Sequence, residues 1–246
     1  PDVTLCAVTS VNVQATVAAL RLCLNQVDFG QALLLTHADC DVPSAIRAVR
    51  IEPLASAFDY SNFVLRHLAN HIATSHCLLV QWDGFILDAE AWDPAFLQFD
   101  YIGAPWPQFA DERTVGNGGF SLRSSRLLHA CRDRRIVDIH PEDVAIGRKY
   151  RDLLEREYNI RIADTATSAR FAFERGPRAH RTFGFHGVFN MVPALGADRF
   201  WETYRGLDDR QAAFNDYGLL MRQLGGGQNV WSRRLALTVD RLGWRK

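Results

Sequence analysis

Acids and one histidine in three separate motifs could act together in catalysis. Asp83 follows the apolar run 78–82, Glu142 and Asp143 are neighbours, and His186 lies in a Gly-Phe-His-Gly loop. A buried strand delivers an acid to the sheet edge where an open α/β fold usually binds its ligand. Carboxylates there can hold a hard metal ion, and a further acid can act as a base. This combination suits transfer of a sugar from a nucleotide diphosphate.

Gln81 and Asp83 are predicted to share one face of the strand, because alternate side chains point the same way. Trp82 would then take the opposite face. Asp83 is the better ligand for Mg²⁺ or Mn²⁺, whereas Gln81 is a weaker ligand that could instead bind a ribose hydroxyl or a metal-bound water. In the alternative interpretation, Asp83 only begins the turn at Gly84.

The Gly-Asn-Gly-Gly run at 116–119 is a further motif. It precedes a predicted strand and lacks the spacing of a dinucleotide-binding fingerprint, which follows a strand. Glycines let a backbone approach a ligand closely. We therefore expect Asn117, Gly118 and Gly119 to form the floor beneath a sugar ring, and a tight hairpin turn is the alternative.

The adjacent acids Glu142 and Asp143 diverge by roughly 100° on a helix. They cannot flank one bond as the paired carboxylates of a glycosidase do. One of them can be a general base while the other contacts the acceptor or the protein. The alternative is that both acids stabilise a helix N-terminus. His186 is either a metal ligand, a packed ring or an exposed loop residue.

A nucleotide pocket is predicted from residues after the first strand and in the helix that precedes Asp83. Each of these residues could equally be a helix cap, a surface group or part of the core. The candidates are Thr9, Ser10, Asn12, Tyr60, Ser61 and Arg66, and Trp82 could offer an apolar face to the sugar ring.

Alternating strand and helix patterns predict an α/β fold with a mostly parallel central sheet flanked by helices. The predicted strands are 3–8, 32–36, 48–51, 78–82, 120–122 and 160–163, and the predicted helices are 12–25 and 60–72. Ser124 is expected to cap the helix that follows it. Residues 1–195 are predicted to form the catalytic domain, and 196–246 a helical extension packed on it.

The composition is typical of a globular protein without a nucleic-acid partner. The 246 residues are 48% hydrophobic and 23% charged, and the formal net charge is zero, which argues against a nucleic-acid partner.

Five cysteines without a Cys-x-x-Cys pair favour buried thiols in a reducing compartment. No signal peptide or membrane span is visible, so a cytoplasmic location is expected. Because the chain starts without Met, it could belong to a longer polypeptide or a larger assembly.

At most, the chain is expected to associate peripherally with the inner face of the cytoplasmic membrane. This expectation depends on aromatic and basic residues near the C-terminus, where a lipid-linked acceptor could be met. They are Trp231, Arg233, Arg234 and Trp244.

Together, four sequence blocks resemble a bacterial family of uncharacterised, glycosyltransferase-like proteins of surface-polysaccharide clusters, the DUF5672 type. The blocks are Val-Gln-Trp-Asp-Gly-Phe at 80–85, Tyr-Ile-Gly-Ala-Pro-Trp at 101–106, the stretch 115–123 and Phe-Gly-Phe-His-Gly at 183–187. The resemblance extends over about residues 3–190. More distantly, Glu142-Asp143-Val144 followed by Gly147 is similar to an element of inverting β-1,3-type glycosyltransferases with a GT-A fold.

This resemblance implies a GT-A-like fold and a role for three residues. Asp83 matches the last acid of an Asp-x-Asp metal motif, Asp143 the catalytic base, and His186 a late histidine ligand. The sequence departs from the motif at Gln81, which replaces the first acid and weakens the support for a metal. The implied donor is a nucleotide-diphosphate sugar, expected to be a UDP-sugar, carrying a hexopyranose or a furanose such as galactofuranose.

The sequence therefore predicts a glycosyltransferase that uses Mn²⁺ or Mg²⁺ and inverts the anomeric carbon. Its acceptor would be a hydroxyl of a polysaccharide, such as an O-antigen, or of a lipid-linked saccharide. One alternative is a non-catalytic module that binds sugar nucleotides or glycans, and another is a sugar nucleotidyltransferase. A third, a zinc hydrolase, would use Asp83, His140, Glu142 and His186.

Overall fold

The computed structural model describes residues 3–176, 181–226 and 228–243. The chain divides into two compact units, Pro1–His186 and Gly187–Lys246. The predicted division at residue 195, with an extension packed on the catalytic domain, stays a prediction. Trp244, one of the predicted membrane-contacting residues, lies outside the described residues.

A six-stranded sheet in the order β3-β2-β1-β4-β6-β5 forms the centre of the first unit. β1 to β4 are parallel, and β6 runs antiparallel to both β4 and β5. This confirms the predicted α/β class with a mostly parallel sheet. The strands are β1 (Val3–Val8), β2 (Gln31–Thr36), β3 (Arg47–Arg50), β4 (His76–Val80), β5 (Tyr101–Ile102) and β6 (Phe120–Ser124). A separate parallel pair consists of β7 (Ala172–Phe173) and β8 (Gly184–Phe185).

Six α-helices in the described part of the first unit connect and cover these strands. They are α1 (Val13–Leu24), α2 (Ala57–Arg66), α3 (Ser125–Ala130), α4 (Glu142–Val144), α5 (Arg151–Tyr158) and α6 (Thr165–Phe171). Short 3₁₀ helices span Leu68–Asn70, Ala89–Ala91 and Pro94–Gln98, and a π-helical turn spans Ala145–Lys149. Ser124 caps α3 as predicted, because its side chain accepts from the Leu127 amide at 3.0 Å.

Three predicted elements differ most from the structure. The strand predicted at 78–82 ends at Val80, because the backbone turns and the Gly84 amide donates to the Gln81 carbonyl at 3.1 Å. The helix predicted over 60–72 is divided into α2 and a 3₁₀ turn. The strand predicted at 160–163 is reduced to one bridge between Ile162 and Tyr101.

A hydrophobic cluster lies between the parallel strands and α2, and it anchors the strand ends that carry the candidate site. β1, β2 and β4 are almost continuously apolar because both faces of this sheet are covered, and alternate residues of each strand point into this cluster. Its members include Cys6, Val8, Leu33, Leu35, Val64, Leu68, Cys77 and Leu79. Burial raises the pKa of the Cys23 and Cys77 thiols to about 12, so these cysteines are inert core residues.

The described part of the second unit is helical. Its helices are α7 (Val188–Leu195), α8 (Ala197–Arg205), α9 (Gln211–Asn215), α10 (Tyr217–Gln223) and α11 (Val230–Arg241). Within this unit, Asp240 accepts hydrogen bonds from the Tyr204 hydroxyl and from Arg210, each at 3.0 Å. Among the described residues, no helix is both long and apolar enough to cross a bilayer.

Two of the residues predicted to approach a membrane differ in their surroundings. Trp231 is 80% exposed on α11, and the Arg234 guanidinium lies 5.9 Å from its ring. Arg233, in contrast, is buried and forms an ion pair with Asp198 at 2.6 Å. Its charge is therefore engaged within the second unit.

Candidate active site

The candidate site lies where the sheet reverses its strand order. β2 and β3 extend from one side of β1, whereas β4 and β6 extend from the other. Ligands of open α/β sheets bind in the crevice beyond the carboxyl ends of such strands. Gln81 and Asp83 follow β4 directly, and Asp83 is only 5% exposed. The fold therefore places both side chains beyond the carboxyl end of β4, where the strand order reverses.

His186 lies immediately after β8 and faces both residues that follow β4. Its Nε2 is 3.5 Å from Asp83 Oδ1 and 3.2 Å from Gln81 Oε1. Ligands of Mg²⁺ stand about 2.1 Å from the ion, so neighbouring ligands of an octahedral site are about 3 Å apart. The oxygens of Asp83 and Gln81 thus both lie near one ring nitrogen of His186, and the predicted metal-ligand role of Asp83 and His186 stays a prediction.

Glu174 belongs to the same cluster and was not predicted from the sequence. Its Oε1 lies 3.4 Å from His186 Nδ1, and its Oε2 accepts from Asn117 Nδ2 at 2.8 Å. β7 pairs with β8 so that Phe173 is opposite Phe185, which places the next residues, Glu174 and His186, side by side. Only this long-range pairing identifies Glu174, since the local sequence Ala-Phe-Glu carries no strong signal.

The two carboxylates control the protonation of His186. Burial alone would lower the pKa of the imidazole, but Asp83 and Glu174 outweigh burial and raise it to about 10. In the protein alone, His186 is therefore an imidazolium between two acids. In the part of the chain that the structure describes, no group of three His, Cys, Asp or Glu side chains is arranged to hold a metal. A cation here depends on the amide of Gln81 as well.

Gly118 and Gly119 separate His186 from the acids of α4. A Cβ on Gly119 would lie 2.1 Å from His186 Nε2, and one on Gly118 would lie 2.4 Å from Glu142 Oε1. Side chains at these positions would displace their neighbours, so both glycines are required by close approach. The Gly119 amide also donates to Asn117 Oδ1 at 2.9 Å, which stabilises the loop. The sugar-floor role of this loop stays a prediction.

Asp143 lies on the other side of the glycine loop. Its Oδ2 accepts from the Gly118 amide at 3.1 Å, and its Oδ1 accepts from the Val144 amide at 2.7 Å. Burial and the negative charge of Glu142 raise the pKa of Asp143 to about 7, although the two amides and Arg123 act in the opposite direction. A carboxylate with this pKa suits a general base that works near neutral pH.

Glu142 points into the protein, as its predicted divergence from Asp143 requires. It is 6% exposed and forms an ion pair with Arg123 at 2.9 Å. Arg123 is fully buried on β6, and the sequence analysis did not single it out. An arginine within an otherwise buried strand pattern was the available signal, because buried charges need partners.

Two predicted nucleotide-binding residues of α2 contact neighbours of the cluster. The Tyr60 hydroxyl accepts from Gln81 Nε2 at 3.1 Å, and the Ser61 hydroxyl lies 2.9 Å from His140 Nδ1. His140 and Glu142, invoked for a zinc hydrolase, are thus engaged with Ser61 and Arg123. Tyr60 and Gln81 are brought together with His186, whereas Ser61 is directed to His140.

The residues after β1 make both local and long-range contacts. The Thr9 hydroxyl bonds to the Val11 carbonyl, and Ser10 Oγ accepts from the Leu54 amide at 2.8 Å. Asn12 is buried and adopts a left-handed conformation (φ 53°) before α1. This segment follows the carboxyl end of β1, as predicted for a nucleotide-edge loop.

Arg66 and Trp82 complete the predicted set. The Arg66 guanidinium donates to the carbonyls of Cys131, Asp133 and Ile136, so it is engaged with the backbone after α3. Trp82 is half-buried beside Asp83 in the turn after β4. A direct phosphate contact by Arg66 would require these backbone bonds to be exchanged.

Comparisons with known proteins relate this site to one family. Residues 44–186 match a family model described as "Protein of unknown function (DUF5672)", and this span includes Asp83, Asp143 and His186. A search of curated proteins finds no match. The crystal structure of a glycosyltransferase involved in the glycosylation of the major capsid of PBCV-1 is similar at 11% identity, with a TM-score of 0.46. That alignment covers 83% of this chain and 100% of the other, and the likeness is too weak to bear on function.

Proposed function

The chain belongs to the DUF5672 family, and from its site we propose that it is a metal-dependent inverting glycosyltransferase. It would transfer a sugar from a nucleotide-diphosphate donor, expected to be a UDP-sugar, to a hydroxyl of a glycan or a lipid-linked saccharide. The proposal rests on the arrangement of Asp83, His186 and Asp143 around the glycine loop.

One observation carries the proposal: two consecutive glycines separate the candidate cation ligands from the candidate base. Gly119 lies against His186, while the Gly118 amide donates to Asp143 at 3.1 Å. An inverting transfer needs a leaving diphosphate on one side of the sugar and a base for the acceptor on the other. The backbone of Gly118 and Gly119 lies between these two groups, and the proposal places the sugar ring over it.

The chain's own residues would have distinct roles. Asp83, His186 and Gln81 would hold Mn²⁺ or Mg²⁺, which neutralises charge on the departing diphosphate. Asp143 would accept the proton of the acceptor hydroxyl as that oxygen forms a bond to the anomeric carbon. The bond from that carbon to the diphosphate oxygen breaks at the same time, and the configuration inverts. Glu174 would orient the imidazole through Nδ1.

A non-catalytic module that binds sugar nucleotides or glycans is the second candidate. Gln81 favours it, since an amide replaces an acid that a tight metal site would use. The imidazolium state of His186 also favours it, because a protonated ring cannot bind a metal until its proton leaves. This candidate predicts ligand binding that is unaffected by Mn²⁺ and no turnover.

A panel of sugar nucleotides tests both candidate functions, since Tm is measured for each nucleotide with and without Mn²⁺. Product formation is then assayed with the donor that stabilises the protein. We expect one donor to raise Tm only with the cation. Asp143→Asn should then keep the cation-dependent rise in Tm and lose turnover. Asp138→Asn is the matched control, because Asp138 is exposed and pairs with Lys149. Unchanged turnover in Asp143→Asn would refute the assignment of the base.

A further inference from the structure

Arg123 is an unusual feature of the core beneath the glycine loop. It is 0% exposed, and its Nη1 has no hydrogen-bond partner among the described residues. Burying a guanidinium costs free energy even when it is paired, and an apolar residue of similar size is often no less stable. A charge retained here at such a cost points to a role beyond packing.

The contacts of Arg123 converge on one residue of the loop. Nε donates to Ser121 Oγ at 2.9 Å, and Ser121 Oγ donates to the Gly118 carbonyl at 2.9 Å. Nη2 lies 3.4 Å from the same carbonyl and donates to Glu142 Oε1 at 2.9 Å. Arg123 therefore contacts both the Gly118 carbonyl and Glu142, the residue before Asp143.

We propose that Arg123 is a positioning residue that acts through Gly118 and Glu142 to place the Asp143 carboxylate for proton transfer. Gly118 connects the two residues directly, because its carbonyl faces Arg123 while its N–H donates to Asp143 at 3.1 Å. The inference rests on the proposed function, since it assigns Asp143 as the base. Arg123 is too deeply buried to touch a substrate itself.

The charges around Asp143 support the positioning role of Arg123. The charged and titratable groups around Asp143 are Glu142 on α4, Arg123 on β6 and Tyr101 on β5. Glu142 raises the pKa of Asp143, whereas Arg123 lowers it. Tyr101 donates its hydroxyl proton to the Gly116 carbonyl at 2.6 Å, and its ring lies 5.4 Å from the Arg123 guanidinium. Burial is the largest cause of the raised pKa of Asp143, and the Arg123–Glu142 pair adjusts it further through its two charges.

Two variants separate positioning from packing. In Arg123→Lys the charge stays, but one ammonium group cannot reach Ser121, Gly118 and Glu142 together. We expect kcat to fall about 10- to 100-fold with the donor KM nearly unchanged. In Glu142→Gln the hydrogen bond to Arg123 can persist while the negative charge beside Asp143 is lost. The titration of Asp143 should then move at least about one pH unit toward acid.

The Asp143 titration is measured directly by carbon NMR of its side-chain carboxyl in the protein without substrate. This readout is independent of turnover, so absence of any glycosyl transfer would refute the proposed function but would leave the positioning test intact. Arg126→Lys is the matched control, because Arg126 pairs with Asp100 instead. In Arg123→Lys the Asp143 titration should also shift, because the contacts to Gly118 and Glu142 change, and a wild-type titration in this folded variant would overturn the inference.

If Arg123→Lys does not fold, Arg123→Met combined with Glu142→Gln removes both charges and leaves no buried ion unpaired. We expect this double variant to fold and to show an altered Asp143 titration with reduced kcat. Wild-type titration in the folded double variant would equally overturn the inference.

Discussion

The imidazole of His186 lies between two carboxylates, with Nε2 3.5 Å from Asp83 and Nδ1 3.4 Å from Glu174. Histidine ligands of metals commonly donate their second N–H to a carboxylate, which fixes the tautomer and the ring orientation. Asp83 and Glu174 therefore have unequal roles in the proposed site. Asp83 shares the cation face of the ring with Gln81, whereas Glu174 supports the ring from behind.

Replacement of Glu174 by glutamine should weaken Mn²⁺ binding about 10- to 100-fold, because the imidazole loses its charged orienting partner. The hydrogen bond from Asn117 Nδ2 can persist, because the amide oxygen of the new glutamine can accept it. Calorimetry with Mn²⁺ and a nucleoside diphosphate measures the change. Glu90→Gln provides a control on an exposed acid outside this cluster. Wild-type affinity in Glu174→Gln would contradict the orienting role.

Gly119→Ala should disrupt the cation site while leaving the fold intact. The new Cβ would lie 2.1 Å from His186 Nε2, so the ring must move away from Asp83 and Gln81. We expect loss of Mn²⁺-dependent stabilisation by nucleotide in thermal unfolding. Gly218→Ala is the control, since nothing lies within 4 Å of a Cβ there. Retained Mn²⁺ dependence would show that the ring is not a ligand.

Turnover should rise with pH through a midpoint of about 7, the pKa of Asp143. A general base works only when ionised, so activity is lost as pH falls below this value. A profile of kcat/KM against pH measures the midpoint, with Asp138→Asn as a variant that should leave it unchanged. A midpoint near 4, the ordinary value for aspartate, would mean that Asp143 is not the base in this environment.

Asp143→Asn should be more stable than the wild type at pH 8. Because folding raises the pKa of Asp143 to about 7, its contribution to stability is present below the unfolded value near 4 and is lost as pH rises to 7. Asparagine does not ionise and can still accept from Gly118. The variant should therefore gain roughly 1–3 kcal/mol above pH 7.

Urea unfolding at pH 4 and pH 8 checks this prediction. The difference between the two proteins should be small at the lower pH and grow toward pH 7, whereas Asp138→Asn should show little change. An Asp143→Asn variant that is less stable at pH 8 would mean that the ionised carboxylate is favoured in the folded protein.

Local sequence determined much of the sheet and the order of the motifs. The predicted strand at 3–8 coincides with β1, and Ser124 caps α3 as expected. These features depend on neighbouring residues, because apolar runs and capping hydroxyls act over a few positions. The turn at Gln81–Gly84 shows the limit of such reasoning, since it ends β4 two residues before the predicted end.

Only the tertiary structure decided which groups surround the candidate site. Glu174 reaches His186 because β7 pairs with β8, and Arg123 reaches Glu142 across nineteen positions of the chain. Neither contact follows from periodicity or local propensity, since both depend on how distant segments pack. The unequal environments of Glu142 and Asp143 arise in the same way. In the sequence they are two adjacent acids, but in the structure Glu142 forms an ion pair, whereas burial and the charge of Glu142 raise the pKa of Asp143.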